Sequence, residues 1–319
     1  RSTLFPYTTL FRSRTGGDST GRELTWHWKD QITANGFIGY TAGKFNIRYR
    51  IDGLDEIITN PGNFTQKQPE SGDSLAFEQE YLSRRVMHQL QGGYFANNNL
   101  SFQLQASYSD YSRQVFSTVL NQNTGKYSMN PSPAAQSIID FSGLTVRGAA
   151  VYKISQLISL QPGFDINIEK GKGERMKEGN NGVEDYAFFV SSEITPKGGK
   201  INIRPGLRII NNSVYDAPPV IPSVNSKFVL SPDLDLRLAY ARGFRSPSLR
   251  ELYYNFFDAN HQIIGNPDLG AETSNSFTGS LTWKKANKQK AMFSATLSGF
   301  YNDRSEEHTS ELQSQNRIS

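Results

Sequence analysis

Residues 234–273 read LDLRLAYARGFRSPSLRELYYNFFDANHQIIGNPDLGAET. The stretch opens as an alternation: Leu234, Leu236, Leu238 and Tyr240 fall on one side and Asp235, Arg237, Ala239 and Ala241 on the other. A period of two marks a half-buried strand. The chain leaves this strand through Gly243-Phe244-Arg245-Ser246-Pro247 and passes an aromatic segment carrying Tyr253, Tyr254, Phe256 and Phe257. It returns through Gly265-Asn266-Pro267-Asp268-Leu269 to a second strand near Thr273. Strand, long decorated loop, strand is the unit.

The unit recurs on both sides. Phe45, Ile47, Tyr49 and Ile51 alternate with Asn46, Arg48 and Arg50; Leu100, Phe102, Leu104, Ala106 and Tyr108 alternate with Ser101, Gln103, Gln105, Ser107 and Ser109. The pattern returns at 83–96, 140–153, 158–169, 183–195, 201–209, 220–230, 277–283 and 293–301, and residues 22–30 and 32–41 read as the first two strands. That makes about thirteen strands and no convincing helix. Pro205 suggests a bulge in its strand. Short turns near 42, 97, 154, 197, 232 and 287 alternate with long connections near 53–79, 114–137, 170–182, 212–219 and 244–272. A soluble sandwich has no reason to segregate its connections this way. An antiparallel up-and-down transmembrane β-barrel does, with short periplasmic turns and long extracellular loops.

Composition agrees with this and narrows function. The 319 residues include no Cys, 15 Tyr and 20 Phe, with a formal charge of +4. No run of about 18 apolar residues exists, which excludes a membrane-spanning helix but not a barrel, whose strands are half polar. The lack of Cys removes disulfides and Cys-ligated metals. Lys and Arg are scattered, so nucleic acid is not an expected partner. Trp26, Trp28, Tyr94, Tyr152, Trp283 and Tyr301 stand near strand ends, where a barrel carries its aromatic girdles. A soluble β-rich protein would bury the same apolar rows under a second sheet.

AYARGFRSPSLREL followed by GNPDLGAETS resembles the barrel signature of TonB-dependent outer-membrane receptors: an aromatic strand end, GFR-small-P-S-L-x-E-L, then N-P-x-L-x-x-E-T/S. Gly270 departs from the pattern, where a longer and often basic residue is usual. The resemblance implies the outer membrane of a Gram-negative bacterium, a barrel of roughly 22 strands with a plugged lumen, and active import of a scarce ligand such as a ferric siderophore or a cobalamin-like compound. It implies as partners membrane lipid, an N-terminal plug domain, the TonB energy-transducing complex and the small-molecule ligand. A passive porin is the first alternative, and a surface adhesin or soluble β-rich binding protein the second.

The two ends fit none of these patterns. Residues 1–13 (RSTLFPYTTLFRS) and 304–319, beginning RSEEHTSELQS, look like translated sequencing adapters. They are expected to be artefactual tails around a partial barrel at 14–303, with a plug and a few strands before Arg14 and further strands after Asp303. The piece is then expected to be an open sheet with two raw edges.

Under the resemblance, Arg242, Arg245, Arg250 and Glu251 face lumen or plug, and a salt-bridged wall seating the plug is weighed against direct ligand contact. Gly243, Pro247, Asn266, Pro267 and Glu272 shape the signature loop. Tyr253, Tyr254, Phe256, Phe257 and His261 suit a planar, partly apolar ligand, or else pack against neighbouring loops. His27, His88 and His261 lack ligand spacing, so no metal site is expected. Gly171-Lys172-Gly173-Glu174 lacks phosphate-loop spacing. Asp52, Asp55 and Glu56 read as a solvated loop start rather than a calcium site, and Asn211-Asn212-Ser213 matches a glycosylation sequon by chance. No nucleophile–base–orienter set can be assembled. Neither enzyme nor cofactor is expected.

Overall fold

A computed structural model describes residues 7–13, 22, 27–68, 71–132, 135–177, 180–257, 262–286 and 292–305. The strands are β1 (Tyr7–Ser13), β2 (Trp28–Ala42), β3 (Phe45–Asn60), β4 (Leu75–Asn97), β5 (Leu100–Asn121), β6 (Tyr127–Met129), β7 (Ile138–Lys153) and β8 (Ile158–Gly173). They continue as β9 (Asn180–Ile194), β10 (Ile201–Asn212), β11 (Ile221–Ser231) and β12 (Leu234–Arg245). After a short helix α1 (Leu249–Tyr253) come β13 (Asn255–Phe257), β14 (Gln262–Ile264), β15 (Glu272–Ala286) and β16 (Met292–Ser305). One antiparallel sheet runs β1-β2-β3-β4-β5-β7-β8-β9-β10-β11-β12-β15-β16, with β6 as a spur on β5 and β13-β14 as a separate hairpin. Each long strand pairs with its neighbours in sequence. The two end strands do not pair with each other, so the sheet is open.

Short connections gather at one end. Gly43 and Lys44 alone join β2 to β3; Gly43 has φ 52°, which glycine adopts without steric cost. At the β4–β5 turn the Asn99 N–H donates to Asn97 Oδ1 at 2.8 Å.

Register carries the apolar rows from strand to strand. Phe45 lies opposite Tyr94, Tyr94 opposite Phe102, Phe102 opposite Ala150; Leu104 meets Gly148, which meets Phe164, which meets Phe188. Among the described residues nothing covers this face. Phe102, Leu104 and Tyr108 are 44%, 42% and 43% exposed, and Phe188 is 64% exposed. A sandwich would have buried them. The row from Leu100 to Tyr108 covers about 26 Å of strand, or about 20 Å of height at a barrel tilt near 40°, close to the apolar band of a membrane barrel. Aromatic residues flank it. Tyr94 and Phe102 stack at the turn end, and Tyr152 and Trp283 are exposed at the same end of their own strands. Tyr49–His88–Tyr108 and Tyr240–Phe277–Tyr301 make ring rows toward the loop end. Trp28 is exposed at the start of β2, and Trp26 lies outside the described residues.

The opposite face is polar and internally bonded. Arg147 and Arg208 both pair with Asp165, and Arg147 also lies 5.0 Å from the centre of the Phe189 ring. Arg204 reaches Glu193 at 2.8 Å.

Four sequence expectations change. Residues 28–42 form one strand rather than two. Pro205 sits opposite Val224 in an unbroken register; the bulges fall at Val229/Ser231 and Phe95/Asn97. Among the described residues there is one short helix, α1. The loops are shorter than expected, because β3, β4, β5 and β8 continue well past the apolar band. Beyond the band apolar and polar residues mix on both faces, with Ala76, Val115, Ser117 and Val119 buried while Phe77 and Phe116 stay exposed, so the alternation that reveals a strand disappears while its hydrogen bonds persist. Tyr7–Ser13 pairs along β2 from Lys29 to Asn35.

Candidate functional site

The signature segment closes the loop end of the sheet on its polar side. β12 ends at Arg245, and Ser246-Pro247 turns the chain. Ser248 then caps α1: its Oγ accepts from the Glu251 N–H at 3.3 Å, while the Glu251 carboxylate accepts from the Ser248 N–H at 2.8 Å. This reciprocal capping box satisfies two backbone donors. It is also the signal in Ser248-x-x-Glu251 that marks the helix in the sequence. Leu249 and Leu252 point inward, 3% and 0% exposed, and with Val183, Tyr215 and Ala271 they form the buried cluster under the loop.

Arg245 ties the segment to both of its ends. Its Nη1 donates to Glu272 at 2.8 Å, at the start of β15, and its Nη2 donates to Glu251. Burial pushes the Glu251 carboxyl up, but donors from the Ser248 backbone, Arg245 and the Ser248 hydroxyl together outweigh it and hold the group below the ordinary carboxylate range.

The return limb is fixed by backbone. Gly265 N–H donates to the Tyr254 carbonyl at 2.9 Å and Asn266 N–H to the Glu251 carbonyl at 2.9 Å. A side chain at Gly265 would place its Cβ 2.7 Å from the Leu252 carbonyl oxygen, so the position requires glycine. Asn266 accepts from the Asp268 N–H at 3.0 Å across Pro267, closing the turn before Leu269. The 174–177 loop zips onto the segment, with Lys177 N–H on the Tyr253 carbonyl and Asn255 N–H on the Arg175 carbonyl, both at 2.7 Å. Tyr215 joins from the β10–β11 loop: its hydroxyl donates to Asp185 at 3.1 Å, and burial above all raises its pKa.

Of the aromatic set, Tyr253 packs against the buried cluster, and Arg250 lies 5.2 Å from the centre of the half-buried Tyr254 ring. Phe256 and Phe257 pair through their backbones with Ile263 and Gln262 in the hairpin. His261 lies outside the described residues. Arg242 stands opposite Asn275 on the Tyr240 side of β12, whereas Arg245 is on the other side. Among the described residues no group of three His, Asp or Glu side chains could hold a metal. The Arg147–Asp165–Arg208 and Arg204–Glu193 groups were not singled out from sequence. Their partners lie 11 to 43 positions apart, and only register brings them together.

Comparison with known proteins gives the arrangement a family. The description "TonB dependent receptor-like, beta-barrel" matches residues 6–316. No curated protein matches the chain. Among solved structures, the siderophore receptor PirA from Acinetobacter baumannii superposes with a TM-score of 0.61 at 12% identity, covering 97% of this chain and 55% of that one. The Serratia marcescens hemophore receptor HasR, solved with its hemophore HasA and heme, gives 0.62 at 10%, covering 95% and 50%. The iron transporter FrpB from Neisseria meningitidis gives 0.61 at 10%, covering 94% and 49%. At such identities the likeness speaks for the fold alone, and the chain spans about half the length of these structures. The sheet of exposed apolar rows, the polar inner face and the matched profile agree, and the chain belongs to the TonB-dependent receptor β-barrel family of the Gram-negative outer membrane.

Proposed function

We propose that the protein is the barrel part of a receptor that imports a scarce ligand, a ferric siderophore or a cobalamin-like compound, with energy supplied through TonB. The observation that carries this reading is the folding of the signature segment onto the polar side of the sheet, beside an exposed apolar face. A lipid-facing wall with an ordered, charged and aromatic inner rim suits a gated receptor better than an open diffusion channel. The neighbours named as siderophore and iron receptors support the iron-compound branch.

In this reading Arg245, Glu251 and Glu272 form a salt-bridged rim against which a plug domain seats, with Arg250 beside it over the Tyr254 ring, while Arg242 lies on the Tyr240 side of β12, away from that rim. Tyr254, half-buried at the loop, is the ring best placed to meet a planar ligand, with Tyr253, Phe256, Phe257 and His261 as the other candidates that the sequence offers. The test is uptake of a radiolabelled ferric siderophore panel and of cobalamin by cells expressing the full-length receptor, with and without TonB. Saturable uptake of one compound that vanishes without TonB is the expected result. Non-saturable flux of unrelated small solutes, indifferent to TonB, would make the protein a porin.

A further inference from the structure

Above the exposed apolar band, on the same side of the sheet, the register changes character within one step. The Tyr108–Leu144–Ile168 row is followed by Asp110–Ser142–Lys170, and that by Arg84–Ser112–Asp140–Lys172. Ser112, Ser142 and Gly182 are small, while Arg84, Lys170 and Lys172 are long. The result is a hollow of about 890 Å³ with a low floor and charged walls. Three cations line the hollow with two carboxylates, Asp110 and Asp140, and Asp55 stands opposite Arg84 at its rim. Lys172 reaches Asp140 only at 3.6 Å and keeps a side chain 65% exposed. Among the described residues Arg84 and Lys170 have no ion-pair partner within 4.0 Å. The hollow therefore holds cationic donors not committed to the protein, one step beyond a tyrosine that marks the edge of the apolar band.

We propose that this hollow binds the phosphorylated headgroup of a lipid in the outer leaflet, with the acyl chains lying along the apolar wall below. The location selects a lipid over a soluble anion. The site faces away from the polar inner face that carries the signature loop, and it is continuous with the surface that acyl chains already cover. Lys170 and Lys172 supply point charges and Arg84 a fork for phosphate oxygens. Ser112 and Ser142 supply hydroxyl donors, and Asp110 and Asp140 space the cations apart. This inference goes beyond the import reading and needs only the membrane orientation; a receptor that proved to carry a different ligand would leave it standing.

The experiment is native mass spectrometry of the full-length receptor in detergent, titrated with a diphosphorylated glycolipid, the same glycolipid without its phosphates, and inorganic phosphate. The phosphorylated glycolipid should bind most tightly. Lys170→Gln with Lys172→Gln should weaken it about thirtyfold, at about fivefold per cation near a membrane surface. Lys284→Gln with Lys285→Gln, at the far end of the wall, should change it less than about twofold. Arg84→Gln, on another strand, should give its own loss of about fivefold, which decides the matter should the lysine pair disturb folding. Heat-modifiable gel migration reports that each variant remains a barrel. Equal binding of the dephosphorylated glycolipid, equal loss from the control pair, or displacement by inorganic phosphate at matching concentration would each overturn the proposal.

Discussion

Ser248 and Glu251 act on one short turn of helix, and their chemistry sets what acid does to the loop. Glu251 is held below the ordinary carboxylate range in the folded loop. A depressed carboxyl stabilises the fold fully above its unfolded value of about 4.3 and loses that contribution as pH falls through the folded value. Amide protection across residues 249–254, taken relative to the intrinsic exchange rate at each pH, should therefore be flat near neutral pH and fall on acidification below about pH 4. Glu251→Gln should abolish that fall and leave protection lower throughout. Ser248→Ala removes the cap and should cost about 1 kcal/mol locally. That loss should appear as faster proteolysis of the loop, with the melting of the barrel unchanged. Gly265-Asn266-Pro267 announces a turn in the sequence; Ser248-x-x-Glu251 spells a capping box, but the helix was not expected, because five residues are too few to show an apolar period. The Arg245 bridges to Glu251 and Glu272 were not legible, because Glu272 is 27 residues away and only the pairing of β12 with β15 brings it near.

At the scale of the strand, alternation decides which substitutions the wall tolerates. Leu104 lies within the apolar row and Gln103 on the other face. Leu104→Arg should destabilise the barrel by about 2–4 kcal/mol in lipid, and Gln103→Arg by less than about 1 kcal/mol. Urea titration of the protein refolded into vesicles measures both, and equal effects would mean that the faces are misassigned. Glycine within a strand is also read differently in context. The Phe164 ring lies over Gly148, and a Cβ there would sit 2.4 Å from it. Gly148→Ala should displace that ring and cost about 1 kcal/mol in the same titration. Strand existence and facing were readable from Phe45, Leu100 and Ile158 onward because one side meets lipid. Strand ends were not: past Ile51, Tyr108 and Ile168 strict alternation stops, with apolar pairs such as Ile57-Ile58 and Val115-Phe116 set among polar residues, and composition alone cannot separate a protruding strand from a loop.

For the whole molecule, the burial pattern departs from that of a water-soluble domain. Among the described residues the largest fully buried side chains are Leu252, Ser117 and Ser137, all near the loop end, while Phe300 and Leu297 are 80% and 75% exposed. A protein with this distribution should require detergent or lipid to stay dispersed. Partitioning of the full-length protein between aqueous and detergent phases checks this, and recovery in the aqueous phase would contradict the membrane orientation. The sequence reached this architecture through the segregation of its connections. It could not supply the lateral partners Asp165 finds in Arg147 and Arg208, since these depend on registry across several hairpins.

The sheet order has a further consequence for assembly. Every long strand docks against the one made just before it, so the wall extends like a fence raised panel by panel, and no late-arriving segment must thread between two already in place. Each step closes only a hairpin, which keeps the entropic cost of ring closure small at every addition. A growing rim of this kind suits insertion one hairpin at a time into a bilayer, where an unpaired backbone is tolerated only at the advancing edge.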